Sequence, residues 1–212
     1  MIDDQRRLIF VENPKTATNS VKAALMGKEN IFNPYDPRIG TQGHHIPAIL
    51  QRRYPTQWQD YTSLVVVRNT WDRAYSFFNF YTKVAGAESY EAMGFEQWVE
   101  KGCPPPKEGQ LRASMHSWGI FDKPLCQLRY AEGVDEVVVL HSLDAAKRHQ
   151  ELTDGLNKIS QSLDFPLQEL PADSNHSNRS VSTEIWRKET VERIGKLFAQ
   201  EIEYFGFQPP VC

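Results

Sequence analysis

Cysteine, long apolar runs and an excess of charge of either sign are all scarce in this sequence, and each shortage removes a class of protein. The three cysteines, at 103, 126 and 212, are odd in number and widely spaced. They make no CxxC pair, no metal-ligand spacing and no disulfide framework. The longest aliphatic runs are four residues, Leu64 to Val67 and Val137 to Leu140. A spanning helix needs about 20, so no transmembrane segment is expected. The chain opens Met-Ile-Asp-Asp-Gln-Arg-Arg, and Leu8 to Val11 falls short of the roughly 7 to 15 apolar residues of a secretory signal. The expectation is a cytoplasmic protein. Gly/Ser linkers, internal repeats and low-complexity tracts are also missing, and 212 residues suit one domain over 1–212.

What is present is an ordinary globular mixture, 40% hydrophobic and 24% charged, too apolar for a disordered chain. A net charge of −3 argues against a general nucleic-acid binder. The charge is uneven, however. Residues 1–80 carry 10 Lys+Arg against 7 Asp+Glu, and residues 81–212 carry 14 against 20. A positive first third in an acidic chain points to a local anion site.

Arg7 to Val11 reads as a buried strand ended by Pro14, with a helix following from Thr18. Residues 28–43 read as loop, and Ile46 to Tyr54 as a short helix opening near Pro47. Thr62 to Val67 is apolar without alternation, as a central parallel strand covered on both faces requires. A helix from about Trp71 to Val84 follows, and Phe95 to Glu100 is a further short one. Residues 102–109, with prolines at 104–106, read as loop. Glu136 to Leu140 is a third strand, and helices are expected over 142–163 and 183–205. The last one places Val191, Ile194, Leu197, Phe198, Ile202 and Phe205 on one face. Strands alternating with helices predict an α/β fold of three layers, P-loop-like, with a central parallel β-sheet flanked by helices. The aromatics Trp71, Tyr75, Phe77, Phe78, Phe80 and Tyr81 fall at helical spacing and are expected in the core.

Two segments carry chemistry. The first is the turn Glu12-Asn-Pro-Lys-Thr-Ala-Thr-Asn-Ser20 between strand and helix. Unpaired amides and the helix dipole make such a turn an anion site. Lys15 adds a full charge, and Thr16, Thr18 and Ser20 add hydroxyls. The glycines of GxxxxGK[ST] are absent, so this is not a Walker A loop. The second is Val67-Arg-Asn-Thr-Trp-Asp-Arg-Ala-Tyr-Ser76. Arg68 leaves the C-terminal end of a central strand, where open α/β sheets bind ligands. A Mg²⁺-binding NTPase would place an Asp there. An Arg instead offers a fork to an anion handled without metal. The plain alternative pairs Arg68 with Asp72 at i+4.

Together these segments resemble the sulfotransferases that use 3′-phosphoadenosine-5′-phosphosulfate, closest to the carbohydrate and Golgi-type branch. Pro14-Lys-Thr-Ala-Thr-Asn-Ser20 is similar to that family's 5′-phosphosulfate loop, PKTxxTS. Val67 to Ser76 is similar to its 3′-phosphate segment, RNPxxRxxS, with Thr70 in place of Pro. The resemblance implies that Lys15, Thr16, Ala17, Thr18, Asn19 and Ser20 hold the 5′-phosphosulfate, with Lys15 also catalytic. Arg68 and Ser76 then hold the 3′-phosphate. Asn175-His-Ser-Asn-Arg179 is similar to an N-x-S-x-R loop, which adds Arg179 to that site. Gly43-His-His-Ile-Pro-Ala48 resembles a stretch whose His takes the acceptor proton, His45 before His44, with His141 and His176 weaker. An R-F-E stretch common before the long helix is replaced by Leu140-His-Ser142.

The implied reaction moves a sulfuryl group in line to a hydroxyl of a carbohydrate or small molecule. It releases 3′-phosphoadenosine-5′-phosphate and needs no metal. Two other readings stand beside it: a Mg²⁺-dependent nucleotide or small-molecule kinase, and a non-catalytic nucleotide-binding or interaction module.

Overall fold

The apolar runs become the sheet, and the segments between them become its covering helices. In chain order the elements are β1 (Ile2–Asp3), β2 (Leu8–Val11), α1 (Thr18–Met26), α2 (Pro47–Arg53), α3 (Pro55–Asp60), β3 (Thr62–Arg68), α4 (Thr70–Val84), α5 (Gly94–Glu100), α6 (Leu128–Ala131), β4 (Glu136–Leu140), α7 (Ala145–Ser162), α8 (Lys188–Leu197) and α9 (Ala199–Phe205). The computed structural model describes residues 1–31, 44–84, 92–105, 126–170 and 186–212. The sheet order is β1-β2-β3-β4. β2, β3 and β4 run parallel, and the two-residue β1 adds an antiparallel edge beside β2.

Side chains alternate across the sheet into two cores. Leu8, Phe10, Leu64, Val66, Val138 and Leu140 meet α1 and α7 on one face. Ile9, Val11 and Val65 meet Leu50 of α2 and Tyr130 of α6 on the other. Val67 continues that second face into an aromatic cluster from α4, α5, α8 and α9. This is the three-layer α/β arrangement that the sequence predicts. β2 and Leu64 to Val67 are fully buried, as a central position demands. Helix α7 lies close on β4: a Cβ added at Gly155 would stand 2.6 Å from Cγ1 of Val138.

The helix expected over Ile46–Tyr54 is α2, and Pro55, which cannot donate to it, opens the further helix α3 in the first-turn position that suits it. Three expectations are corrected. The long C-terminal helix breaks at Phe198 (φ −122°, ψ 27°) into α8 and α9; its expected first residues, 183–185, lie outside the described residues. That break turns Leu197 outward, 40% exposed, and turns Glu201 fully inward. Helix α7 starts at Ala145 rather than 142, where the Asp144 carboxylate accepts the Lys147 N–H at 2.9 Å. Of the α4 aromatics, Trp71, Phe77, Phe78 and Tyr81 are buried, and Tyr75 and Phe80 pack half-buried at the cluster's margin.

Candidate functional site

The turn between β2 and α1 folds around one carbonyl. The hydroxyls of Thr16 and Thr18 both donate to the Asn13 carbonyl, at 2.8 and 2.9 Å. Lys15 (φ 64°) and Ala17 (φ 66°) take left-handed backbone to allow it. Each such residue costs about 1–2 kcal/mol in a non-glycine, so the surroundings must hold the turn. The first helical bond of α1 runs from the Val21 N–H to the Ala17 carbonyl, 3.0 Å. The amides of Thr18, Asn19 and Ser20 precede it, at the positive end of the helix, and no acidic residue lies in that turn. The two threonine hydroxyls therefore give the loop its shape, and the amides give it its attraction for anions. Ser20 is buried in the same turn. The Lys15 ammonium lies 4.7 Å above the Phe80 ring.

What holds the turn is the second segment. Arg73 is buried, donating from Nε to the Pro14 carbonyl at 3.0 Å and from Nη2 to Asn13 Oδ1 at 2.9 Å. Arg68 donates from Nη1 to the Lys15 carbonyl at 3.1 Å and from Nε to Asp72 at 2.5 Å. The i+4 ion pair and the link to the lysine loop thus coexist in one guanidinium. Burial lowers the pKa of Arg73, against the raising effect of the nearby Glu201 carboxylate. Ser76 is buried on α4, one turn beyond Asp72. Two motifs some 50 residues apart in sequence are therefore brought together by side chain to main chain bonds.

Behind them lies a buried polar network that the sequence did not disclose. Gln127 takes the Arg68 N–H at 2.8 Å and returns a bond to the Arg68 carbonyl at 2.8 Å. Its Oε1 also takes Asn13 Nδ2 at 3.3 Å. Glu201 accepts from the Thr70 hydroxyl and from the Gln127 N–H, both at 2.6 Å. Thr70, the departure from the family's usual Pro, is thereby given a partner that Pro could not serve. Asn69 ties the ends of β3 and β4 to the C-terminal segment, donating to the carbonyls of His141 (3.1 Å) and Gln208 (2.9 Å). The only sequence signal for this network was an acidic residue, Glu201, within an apolar helical stripe.

The two histidines differ in their bonds. His44 Nδ1 lies 2.7 Å from the Glu12 carbonyl. A carbonyl only accepts, so Nδ1 carries the proton and the Nε2 lone pair is the basic one. His45 Nε2 lies 3.0 Å from Nη1 of Arg53. A guanidinium only donates, so that lone pair is engaged. Burial alone would raise the Glu12 carboxyl, but the Met1 ammonium, Lys22 and His44 outweigh it and hold it below its ordinary range. His141 packs edge-on to Phe207, 5.8 Å between ring centroids. Asn175, His176, Ser177 and Arg179 lie outside the described residues.

Among the described residues no group of three or more metal-ligating side chains could hold an ion, and no helix is long and apolar enough to cross a membrane. The model of the Sulfotransferase family matches residues 1–208 of the chain. No curated protein and no solved structure matches it.

Proposed function

As a member of the sulfotransferase family, in its carbohydrate and Golgi-type group, this chain is an enzyme of sulfuryl transfer, and we propose that it moves the group from 3′-phosphoadenosine-5′-phosphosulfate to a hydroxyl of a carbohydrate or small molecule, with His44 as the base. One observation carries the donor assignment. Arg68 and Arg73 of the second motif bond the carbonyls of Lys15 and Pro14 in the first, which sets the two candidate anion-binding segments side by side. A donor with phosphate groups at both ends of its ribose needs such a pair of adjoining sites.

The donor supplies the sulfuryl group and, on leaving, the nucleotide 5′-phosphate. The amides of Thr18, Asn19 and Ser20 hold that phosphate at the α1 N-terminus. Lys15 moves from the Phe80 ring to the bridging oxygen, where negative charge grows as the S–O bond breaks. Arg68 and Ser76 hold the 3′-phosphate, and Arg179 adds to them. His44 Nε2 takes the acceptor O–H proton as the acceptor oxygen bonds to sulfur. The Glu12 carbonyl steadies the imidazolium so formed. His45 had the stronger sequence claim, and its bond to Arg53 favours the neighbouring histidine for this role.

The countercharge comes from Lys15 and the arginines, so turnover is expected without added metal. A cytoplasmic setting fits this reading and remains part of the proposal. Sulfate transfer from radiolabelled donor to a panel of sugar and small alcohols tests it, with Lys15→Ala and His44→Gln beside the wild type. Loss of a charge-stabilising donor costs roughly 10²–10³ in kcat. Near-normal turnover in Lys15→Ala would refute the assignment. A drop in His45→Gln but not in His44→Gln would return the base to His45.

A further inference from the structure

Eighty residues beyond Arg68 in the chain, a second guanidinium reaches the same carboxylate. Asp72 Oδ2 takes Arg68 Nε at 2.5 Å and Arg148 Nη1 at 3.0 Å. Arg148 comes from the first turn of α7, and the same Nη1 donates to the carbonyls of Ser142 (3.3 Å) and Leu143, in the loop that leaves β4. Both arginine side chains are more than nine-tenths buried. We propose that Arg148 is a specificity-determining residue of the donor site, a second guanidinium for the nucleotide 3′-phosphate beside Arg68 and Ser76. The inference rests on the donor reading above and adds a residue to it from outside both motifs.

Charge and donor accounting carry it. Among the described residues the two buried guanidiniums have one carboxylate in direct contact between them, so their immediate shell carries more positive than negative charge, which an arriving anion would offset. The other acids near Arg148 act on it through space, and among the described residues neither forms an ion pair with it: Asp144 caps α7 through the Lys147 N–H, and Glu151 takes the Ser142 N–H at 3.1 and 3.2 Å. Burial lowers the Arg148 pKa, and repulsion from Arg68 lowers it further, against Asp72, Asp144 and Glu151. Geometry points the same way. The protein acceptors of Arg148 all fall on Nη1, so among the described residues Nε and Nη2 donate to none. Nη2 of Arg68 is in the same position. A phosphate dianion offers acceptors to match the Arg148 fork and the remaining Arg68 nitrogen. The place is also right: β3 and β4 end side by side, with Arg68 paired to Leu140, and Ser76 stands one turn along α4 from Asp72.

Calorimetric titration of the whole protein with 3′-phosphoadenosine-5′-phosphate and with adenosine 5′-phosphate separates the outcomes. The wild type should bind the bisphosphate more tightly. Arg148→Gln should lose about tenfold or more of that preference, the usual effect of a charge-assisted bond, while affinity for adenosine 5′-phosphate changes less than about twofold. If Arg148 only props the 142–144 loop, Arg148→Gln lowers the unliganded melting temperature and leaves the preference intact, which overturns the inference. Should the Gln variant fail to fold, Arg148→Lys gives the same reading: a reduced preference supports the role and an unchanged one refutes it. A wild type with no preference for the bisphosphate would instead overturn the donor reading itself.

Discussion

Replacing Glu201 by Gln changes no shape and removes one charge, and the structure says what that should cost. The carboxylate is wholly buried and accepts three donors: the Thr70 hydroxyl and the Gln127 N–H at 2.6 Å, and Gln127 Nε2 at 3.2 Å. An amide must put its NH₂ in the place of one oxygen. In the Oε2 place it would face the Gln127 backbone N–H, a donor that cannot turn. In the Oε1 place it meets Thr70, whose hydroxyl can rotate to accept, but it loses the bond from Gln127 Nε2. The second arrangement is the cheaper. It forfeits one charge-assisted bond, about 1.5–3 kcal/mol, and weakens the other two. Arg73 also loses a neighbouring negative charge. A total near 3 kcal/mol is expected, or a fall of about 6–12 °C in Tm for a domain of this length. Thr70→Val removes a single bond and should cost about 1–1.5 kcal/mol. The double variant should cost less than the sum, because both changes strike one network. Urea and thermal unfolding of the four proteins measure this. A Glu201→Gln protein within 1 kcal/mol of wild type, or strict additivity, would refute the reasoning.

Other consequences are local. Gly155→Ala forces a Cβ to 2.6 Å from the stiff, branched Val138 side chain and should destabilise by about 1–3 kcal/mol in urea titration. Burial pushes the Cys103 thiol up to about 12, whereas Cys212 is exposed. Alkylation of the folded protein at pH 8 should therefore label Cys212 and spare Cys103, as peptide mass mapping would read. Glu12 is held below its ordinary pKa, so its contribution is present above that ordinary value, near 4.5, and is lost as pH falls through the depressed one. The stability gap between wild type and Glu12→Gln should close on acidification from pH 6 to pH 3; a gap that widens would reverse the sign of the argument.

The layers of the fold were legible because buried parallel strands are written as unbroken apolar runs, and Leu64 to Val67 is the clearest of them. The site was legible as two motifs because an anion loop needs Lys15 and a strand-end Arg68 in plain sight. Their mutual bonding was not legible. Asn13, Arg73, Gln127 and Glu201 act by meeting across up to 188 residues of sequence, and nothing local marks a polar residue as an inward-facing partner. Helix α3 and the break at Phe198 escaped for different reasons. Pro55 was readable as the stop of α2 but not as the start of α3, and Phe198 continues an apolar stripe that local pattern favours as one helix. The contacts that set the two histidines apart, the Glu12 carbonyl for His44 and Arg53 for His45, are also tertiary.

Thermal stability with 3′-phosphoadenosine-5′-phosphate, against ADP and against ATP with Mg²⁺, tests the central claim most directly. A specific ligand at 100 times its Kd adds about 2.7 kcal/mol, worth roughly 5–10 °C at this chain length. The account predicts that rise with the 3′-phosphorylated nucleotide alone, and its loss in Arg68→Ala. A rise with ATP and Mg²⁺, and none with the bisphosphate, would contradict the account and turn the assignment toward a kinase.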